Sequence, residues 1–280
     1  MNQKILVNQI IPFSNVDGEG NRCSIFVQGC QLNCLYCHNS ETIQTCRNCG
    51  ICIEHCPSHA LSFQSNLVIY EESQCSHCDT CIMVCPYQST PKAKAYTQDD
   101  LMARIEIYRP YIRGVTLSGG EPTLYADFLT GLAQKIKKLG LTVYIDSNGF
   151  FDFEATSPLI NIVDGFLLDI KAVDNIEHLC GIKSQLHLKN LEKLLGINKV
   201  IEVRTVLLNK HMDQMNTLNQ VVDRLEGYPQ VPYRLIRAHV TGLKKVQEAY
   251  IGEAIMTEEE FVAYGDYLNQ KGFHNFKLQR

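Results

Sequence analysis

The sequence predicts an α/β fold, a parallel sheet or barrel that carries a small cysteine-rich insert near its N-terminal end. Two observations support this. Beyond the insert, apolar strand-like runs alternate with amphipathic helical stretches over about 190 residues. Within it the cysteines crowd together: of 13 in the chain, 10 lie between Cys30 and Cys81, with Cys85 just beyond. A length of 280 residues suits one barrel-sized domain with an insertion, and 45% hydrophobic against 20% charged residues excludes disorder and fibres. The balance of 26 Lys+Arg and 30 Asp+Glu, net −4, leaves no basic footprint for nucleic acid and no polybasic face for anionic lipid. The opening run MNQKILVNQIIPFS is broken by Asn8 and Gln9, so it reads as neither a signal segment nor a membrane span. No other stretch approaches the roughly 18 apolar residues of a spanning helix. A cytoplasmic location is expected.

Taken in chain order, the strand-like runs are Ser24–Val27, Val115–Leu117, Thr142–Ile145, Gly165–Ile170, Val200–Leu208 and Tyr233–Ile236. Amphipathic helical stretches fall at Thr97–Tyr108, Ala126–Leu139, Gln185–Leu195, Asp213–Leu225 and Thr257–Gln270. Thr97 with Asp100, and Thr257 with Glu260, have the spacing of capping boxes and open two of these helices. Residues 1–44 and 92–280 are assigned to the α/β domain and 45–91 to the insert. Polar or glycine-rich groups recur where strands end: Gly119, Gly120 and Glu121 after the second run, Asp146 at the third, Asp169 and Lys171 at the fourth, and His239 after the sixth. Such strand ends are where α/β barrels build their sites. Arg204, inside the fifth run, is either part of that site or a core-edge ion pair.

The cysteines fall into three runs. Two share the bacterial ferredoxin spacing, terminal proline included: Cys46, Cys49, Cys52, Cys56-Pro57 and Cys75, Cys78, Cys81, Cys85-Pro86. By the rule that the fourth cysteine ligates the other cluster, Cys46, Cys49, Cys52 and Cys85 form one four-iron site. Cys75, Cys78, Cys81 and Cys56 form the second. Paired CxxC motifs also serve zinc, which is the competing assignment. The first run, Cys30, Cys34 and Cys37, has no fourth cysteine nearby. It leaves an open metal position, unless Cys46 or Cys23 closes the site. Cys23 and Cys180 otherwise read as small buried groups or inert thiols.

With its CxxxCxxC spacing and Tyr36 before the last cysteine, the first run resembles the radical S-adenosylmethionine (SAM) superfamily. There the open iron is chelated by the amino and carboxylate groups of SAM. Together with the strand-end residues, the chain resembles the glycyl-radical-enzyme activating enzymes, the family of pyruvate formate-lyase activating enzyme. The subgroup it is most similar to carries a two-cluster ferredoxin insert. The resemblance runs from Asp17-Gly18-Glu19-Gly20-Asn21-Arg22 to His239, departing at Glu19, where proline is usual; a plain turn is the other reading of that loop.

The resemblance implies a partial (β/α)6 TIM-like barrel with a ferredoxin-like insert, three [4Fe-4S] clusters and SAM as cosubstrate. It implies that Gly119, Gly120 and Glu121 receive the methionine amine, that Asp169 and Lys171 address its amino and carboxylate ends, and that Asp146 lies near the methionine moiety. His239 would lie near the adenosine and the Tyr36–His38 segment on the adenine, with Arg204 a further contact. The implied enzyme is an oxidoreductase (EC 1.97.1.-). One electron from the cluster on Cys30, Cys34 and Cys37 cleaves SAM to methionine and a 5′-deoxyadenosyl radical. That radical takes hydrogen from a backbone glycine of a partner glycyl radical enzyme, with reduced flavodoxin or ferredoxin as electron donor. The insert either relays electrons or docks the partner. A small-molecule substrate and a non-catalytic electron carrier are the alternatives; the second leaves Gly119, Gly120, Asp169 and Lys171 unexplained.

Overall fold

The computed structural model describes residues 3–279. Strand β1 (Ile5–Ser14) runs antiparallel to β2 (Arg22–Val27). The insert follows, with the hairpin β3 (Leu61–Gln64) and β4 (Leu67–Tyr70) and the short helix α1 (Thr80–Met83). Strand β5 (Lys94–Tyr96) returns to the start of β1 and leads into α2 (Gln98–Tyr108). Next come β6 (Gly114–Gly119), α3 (Ala126–Lys138), β7 (Thr142–Ser147), α4 (Phe153–Ile162), β8 (Gly165–Asp169), α5 (Ile176–Cys180) and α6 (Leu186–Gly196). The chain ends with β9 (Val200–Leu207), α7 (Gln214–Leu225), β10 (Tyr233–Arg237), α8 (Lys245–Ile251), α9 (Glu258–Gln270) and β11 (Phe276–Gln279).

Among the described residues, one nine-stranded sheet has the open order β11-β10-β9-β8-β7-β6-β2-β1-β5, in which β2 and β6 to β11 are parallel. All six strands expected from the sequence are present and adjacent in the expected succession. Three more extend the sheet beyond the expected six. Strand β11 is four residues of alternating burial, and β5 is only three long, too short for a pattern to stand out. Strand β1 is interrupted by register shifts at Val7/Gln9 and Ile11/Ser14, which spoil its alternation in the sequence.

Local chemistry explains the helices. Both capping boxes form, Thr97 with Asp100 and Thr257 with Glu260. Helix α3 buries Phe128, Leu129, Leu132, Ala133 and Ile136 on one face, places Lys135, Lys137 and Lys138 at the negative end of its dipole, and stops at Gly140, whose φ is +77°. Helix α4, absent from the sequence reading, contains Pro158, which reads as a breaker. It forms because the Asp152 carboxylate accepts from Glu154 N at 2.9 Å and Ala155 N at 3.0 Å, and because Leu159 and Ile160 are buried.

The core lies between the sheet and its helices, and β6 and β8 are buried almost throughout, as strands covered on both faces must be. At the N-terminal ends of the parallel strands sits a buried cation, Arg22, 1% exposed. Its guanidinium donates to Thr116 Oγ1 at 2.7 Å, Thr142 Oγ1 at 2.9 Å and Val115 O at 2.8 Å, and lies 3.7 Å from the centre of the Tyr144 ring. The preceding loop is fastened as well: the Asp17 carboxylate accepts from Ser14 and Ser24, each at 2.6 Å. This end of the sheet is closed by structure, which leaves the C-terminal strand ends for function. The insert has a small apolar cluster of its own, Cys52, Leu61 and Cys81 with Val68, Tyr70 and Ile82 against them.

Candidate functional site

The three-cysteine loop begins where β2 ends and is braced from two sides. Gln28, wholly buried, donates through Nε2 to Glu41 O and Gln44 O, both at 2.6 Å, and its own carbonyl accepts from the Tyr125 hydroxyl. The end of β6 supports the loop: Gly120 N donates to Val27 O at 2.9 Å and Glu121 N to Gly29 O at 2.8 Å. The backbones approach so closely that a Cβ on Gly120 would collide with Gly29 O, and Gly119 has φ +112° with Val27 against it. Glycines there are a steric requirement. On the far side, α5 meets the loop, with Asn33 N donating to Cys180 O at 2.9 Å and Leu35 N to Leu179 O at 3.0 Å.

Around this loop the structure gathers the residues expected from the sequence. Asp169 accepts from Lys171 Nζ at 2.7 Å. Burial opposes the Lys171 charge, yet Asp169 and the nearby Cys34 hold its pKa above the ordinary lysine value. Asp146 accepts from Ser118 Oγ at 3.0 Å and faces Arg204 Nη1 at 3.4 Å. Its carboxyl is pushed up to about 7, mainly by burial, with Asp169 and Asp17 adding repulsion and Arg204 opposing. Arg204 also pairs with Glu202 at 2.6 Å and donates to Val16 O at 3.1 Å, so it is held as an ion pair in the sheet interior. His38 and His239 stack with centroids 4.1 Å apart, and His38 Nε2 meets His239 O at 2.9 Å. Burial holds the His38 pKa below the ordinary histidine value.

Two expected contacts have a different aspect. The Tyr36 ring is 3% exposed and its hydroxyl lies against Cys180 and Cys34, so it packs beneath the loop. The Glu121 carboxylate is turned inward, accepting from Thr123 N and Oγ1, Ser147 Oγ and Asn148 N. Its backbone is engaged as well, N donating to Gly29 O at 2.8 Å and O accepting from Leu124 N at 3.3 Å. Asn148, not singled out by the sequence, points Nδ2 at Cys30 Sγ from 3.7 Å, and its Oδ1 accepts from Gln31 at 3.2 Å. Gln247 donates to Leu35 O at 3.1 Å and Cys37 O at 3.3 Å, across more than 200 residues of chain. Only an Asn beside a glycine at a strand end could have drawn attention to Asn148; nothing marks Gln247 locally.

Burial pushes the thiols of Cys30 and Cys37 up to about 12, and a hydrogen bond with Cys180, with burial added, raises that of Cys34 well above its ordinary value. Thiols so desolvated become thiolates when iron binds them, and they are unsuited to free nucleophilic chemistry. Of the two cysteines weighed as a fourth ligand, Cys23 is wholly buried in β2 and Cys46 lines a void in the insert. That void is lined by Cys46, Cys49, Cys52, Cys81 and Cys85. A second is lined by Cys56, Cys75, Cys78 and Cys81. Each void is thus lined by one of the four-cysteine sets expected from the ferredoxin spacing, and Cys81 lines both. Another cavity lies between β1, β5, α2 and the insert. Among the described residues, no helix is long and apolar enough to cross a membrane.

A family model for a 4Fe-4S single cluster domain matches residues 16–179. The chain is 36% identical to a protein of Haemophilus influenzae that carries the designation glycyl-radical enzyme activating enzyme, over 96% of this chain and 94% of that one. It is 29% identical to the trans-4-hydroxy-L-proline dehydratase activating enzyme of Clostridioides difficile, over 87% of this chain and 88% of the relative. In fold it is similar to the crystal structure of QueE from Escherichia coli, with a TM-score of 0.53, 13% identity, and 99% and 94% of the two chains covered.

Proposed function

The chain belongs to the glycyl-radical enzyme activating enzymes of the radical SAM superfamily, and on that premise we propose that it cleaves SAM reductively and abstracts hydrogen from a backbone glycine of a partner enzyme. The observation that carries this reading is the gathering of one open three-cysteine loop with Gly119, Gly120, Asp146, Asp169, Lys171 and the stacked His38–His239 pair at one end of a parallel sheet. The residues fit the implied groups. Three cysteines with no fourth in the same loop, Cys34 buried and Cys30 and Cys37 half-buried, suit a [4Fe-4S] cluster with one free iron. A cluster bound by Cys30, Cys34 and Cys37 would supply the single electron. SAM takes it into the sulfonium, the S–C5′ bond breaks, and methionine and a 5′-deoxyadenosyl radical result. Hydrogen transfer then gives 5′-deoxyadenosine and the glycyl radical, so atoms and electrons balance.

The chain's own residues bind and orient. Lys171 meets the methionine carboxylate, Asp169 and the Gly119–Glu121 backbone meet its ammonium, and Asp146 lies beside the methionine. The His38–His239 pair presents the flat surface for adenine, on a base formed by Tyr36. Arg204 keeps the acidic interior neutral. No side chain is required as a general base, since the protein supplies binding, orientation and exclusion of water. The parallel strands are read as a partial (β/α)6 barrel, residues 1–44 and 92–280, and residues 45–91 as a ferredoxin-like insert holding two further [4Fe-4S] clusters. The two voids, each lined by one of the four-cysteine sets, support that count. A glycyl radical enzyme is the proposed partner and reduced flavodoxin or ferredoxin the donor.

The test is 5′-deoxyadenosine formation by the anaerobically reconstituted, reduced protein. Product from the wild type and none from a Cys30→Ala, Cys34→Ala, Cys37→Ala variant is expected, with a rise in yield when the cognate glycyl radical enzyme is added. No product from protein with its full iron content would overturn the reading.

A further inference from the structure

One segment joins the three-cysteine loop to the insert. Helix α8 and the residue before it reach in two directions: Gln247 donates to Leu35 O and Cys37 O, and Lys244 Nζ donates to Cys85 O at 2.8 Å. The same two regions are laced through the main chain. Cys30 N donates to Ile43 O at 2.9 Å, three residues before Cys46, and Gln44 N donates to Gln88 O at 3.0 Å, three residues after Cys85. The void lined by Cys46, Cys49, Cys52 and Cys85 is therefore the inner one. The void lined by Cys56, Cys75, Cys78 and Cys81 is the outer one.

Lys92 is on the wall of the outer void, while the inner void has Arg47 on its wall, over the Tyr87 ring, and Lys244 reaching the Cys85 carbonyl from outside; the two lysines differ in how their charge is met. Lys92 lines the outer void and pairs with Asp79, also on its wall, at 2.7 Å. Lys244, beside the inner void, donates to a neutral carbonyl. Among the described residues it has no carboxylate within 4.0 Å, and Glu41 acts on it only at longer range. A cluster becomes more negative by one charge on reduction, so an uncompensated cation favours its reduced form, and a neutralised one does so far less.

We propose that Lys244 is a positioning residue that makes the inner site the higher-potential one of the two insert sites, so that electrons run from the outer site through the inner site towards the three-cysteine loop. This rests on the reading that clusters occupy the insert. Each step moves one electron, drawn in the test from dithionite, and no bond forms or breaks. The Lys92–Asp79 pair keeps the outer site at low potential, and Gln247 holds the inner site against the loop it serves.

The experiment is an EPR-monitored redox titration of the reconstituted protein, with iron counted on the same samples. Lys244→Met is expected to shift one midpoint potential downward and leave the others in place. Lys244→Arg restores it, which a merely structural role for the side chain would not explain. Asp79→Asn, which frees Lys92, is expected to shift a different midpoint upward. Unchanged potentials in Lys244→Met at full iron content, or movement of the same cluster in both variants, would overturn the proposal. Should Lys244→Met assemble poorly, Asp79→Asn decides alone, and the absence of an upward shift overturns it. Wild-type iron too low for three clusters would instead overturn the reading on which the proposal rests.

Discussion

The buried carboxylate of Glu121 connects the fold to the site, and its replacement by glutamine gives the sharpest test of that connection. Its Oε1 accepts from Thr123 N at 3.1 Å, Thr123 Oγ1 at 2.6 Å and Ser147 Oγ at 2.9 Å, while Oε2 accepts from Asn148 N at 2.8 Å. Burial pushes the Glu121 pKa up and these bonds pull it down, with a net rise. All four groups facing it are donors, and two are main-chain amides that cannot reverse, so the ionised form fits the site. Glutamine in the same pose keeps the three bonds to its oxygen and turns its NH₂ towards Asn148 N–H. One bond to a charged acceptor is lost, about 1.5–3 kcal/mol, and a buried N–H is stranded, about 1–3 kcal/mol. Relief from burying a charge offsets part of this, leaving a destabilisation of about 2–4 kcal/mol. Anaerobic urea unfolding at pH 7, followed by circular dichroism, measures it. Ser147→Ala, which removes a hydroxyl that donates to Glu121 and accepts from Gly149 N at 3.1 Å, is the internal scale at about 1–3 kcal/mol. If Glu121→Gln unfolds within about 0.5 kcal/mol of the wild type, the donor-only account of this site is wrong.

Three further outcomes follow from the same structure. Gly120→Ala forces a Cβ into the backbone of Gly29 and Thr42, so the cysteine loop must shift; 5′-deoxyadenosine formation should fall at least tenfold and the unfolding midpoint should fall with it. Asp146 is raised to about 7 from 3.8, so its contribution to stability is full below about pH 4 and is lost as pH rises through 7. The thermal midpoint of Asp146→Asn relative to the wild type should therefore climb between pH 5 and pH 8, and a flat difference would refute the assigned shift. Arg22→Met removes the bonds to Thr116, Thr142 and Val115 O from a fully buried position, with an expected loss of about 3 kcal/mol in denaturant unfolding and little change in SAM affinity by calorimetry.

Much of this protein is legible from local pattern. The six central strands and five amphipathic helices announce themselves by runs of Val, Ile and Leu and by apolar spacing, and both capping boxes need only residues three apart. The cysteine runs are likewise local, because a cluster is wrapped by a single loop, and the chemistry of the donor set can be read from spacing. Strand ends are legible by the same logic, since a parallel sheet brings them together whatever the loops do. What lay outside that reach depends on contacts between distant segments. Helix α4 forms in spite of Pro158 because Leu159 and Ile160 find a buried surface. Strands β1, β5 and β11 are short or broken in pattern and exist because a neighbour offers a ladder. The inward turn of Glu121, the burial of the Tyr36 ring, and the reach of Asn148, Lys244 and Gln247 to Cys30, Cys85 and Cys37 leave no trace in spacing. The kinds of chemistry this chain can host follow from residue types at short range. Which side chains face the ligand, which are consumed in holding the backbone, and which site in the insert lies nearer the cysteine loop follow from packing, where direction and charge compensation are set by residues a hundred or more positions apart.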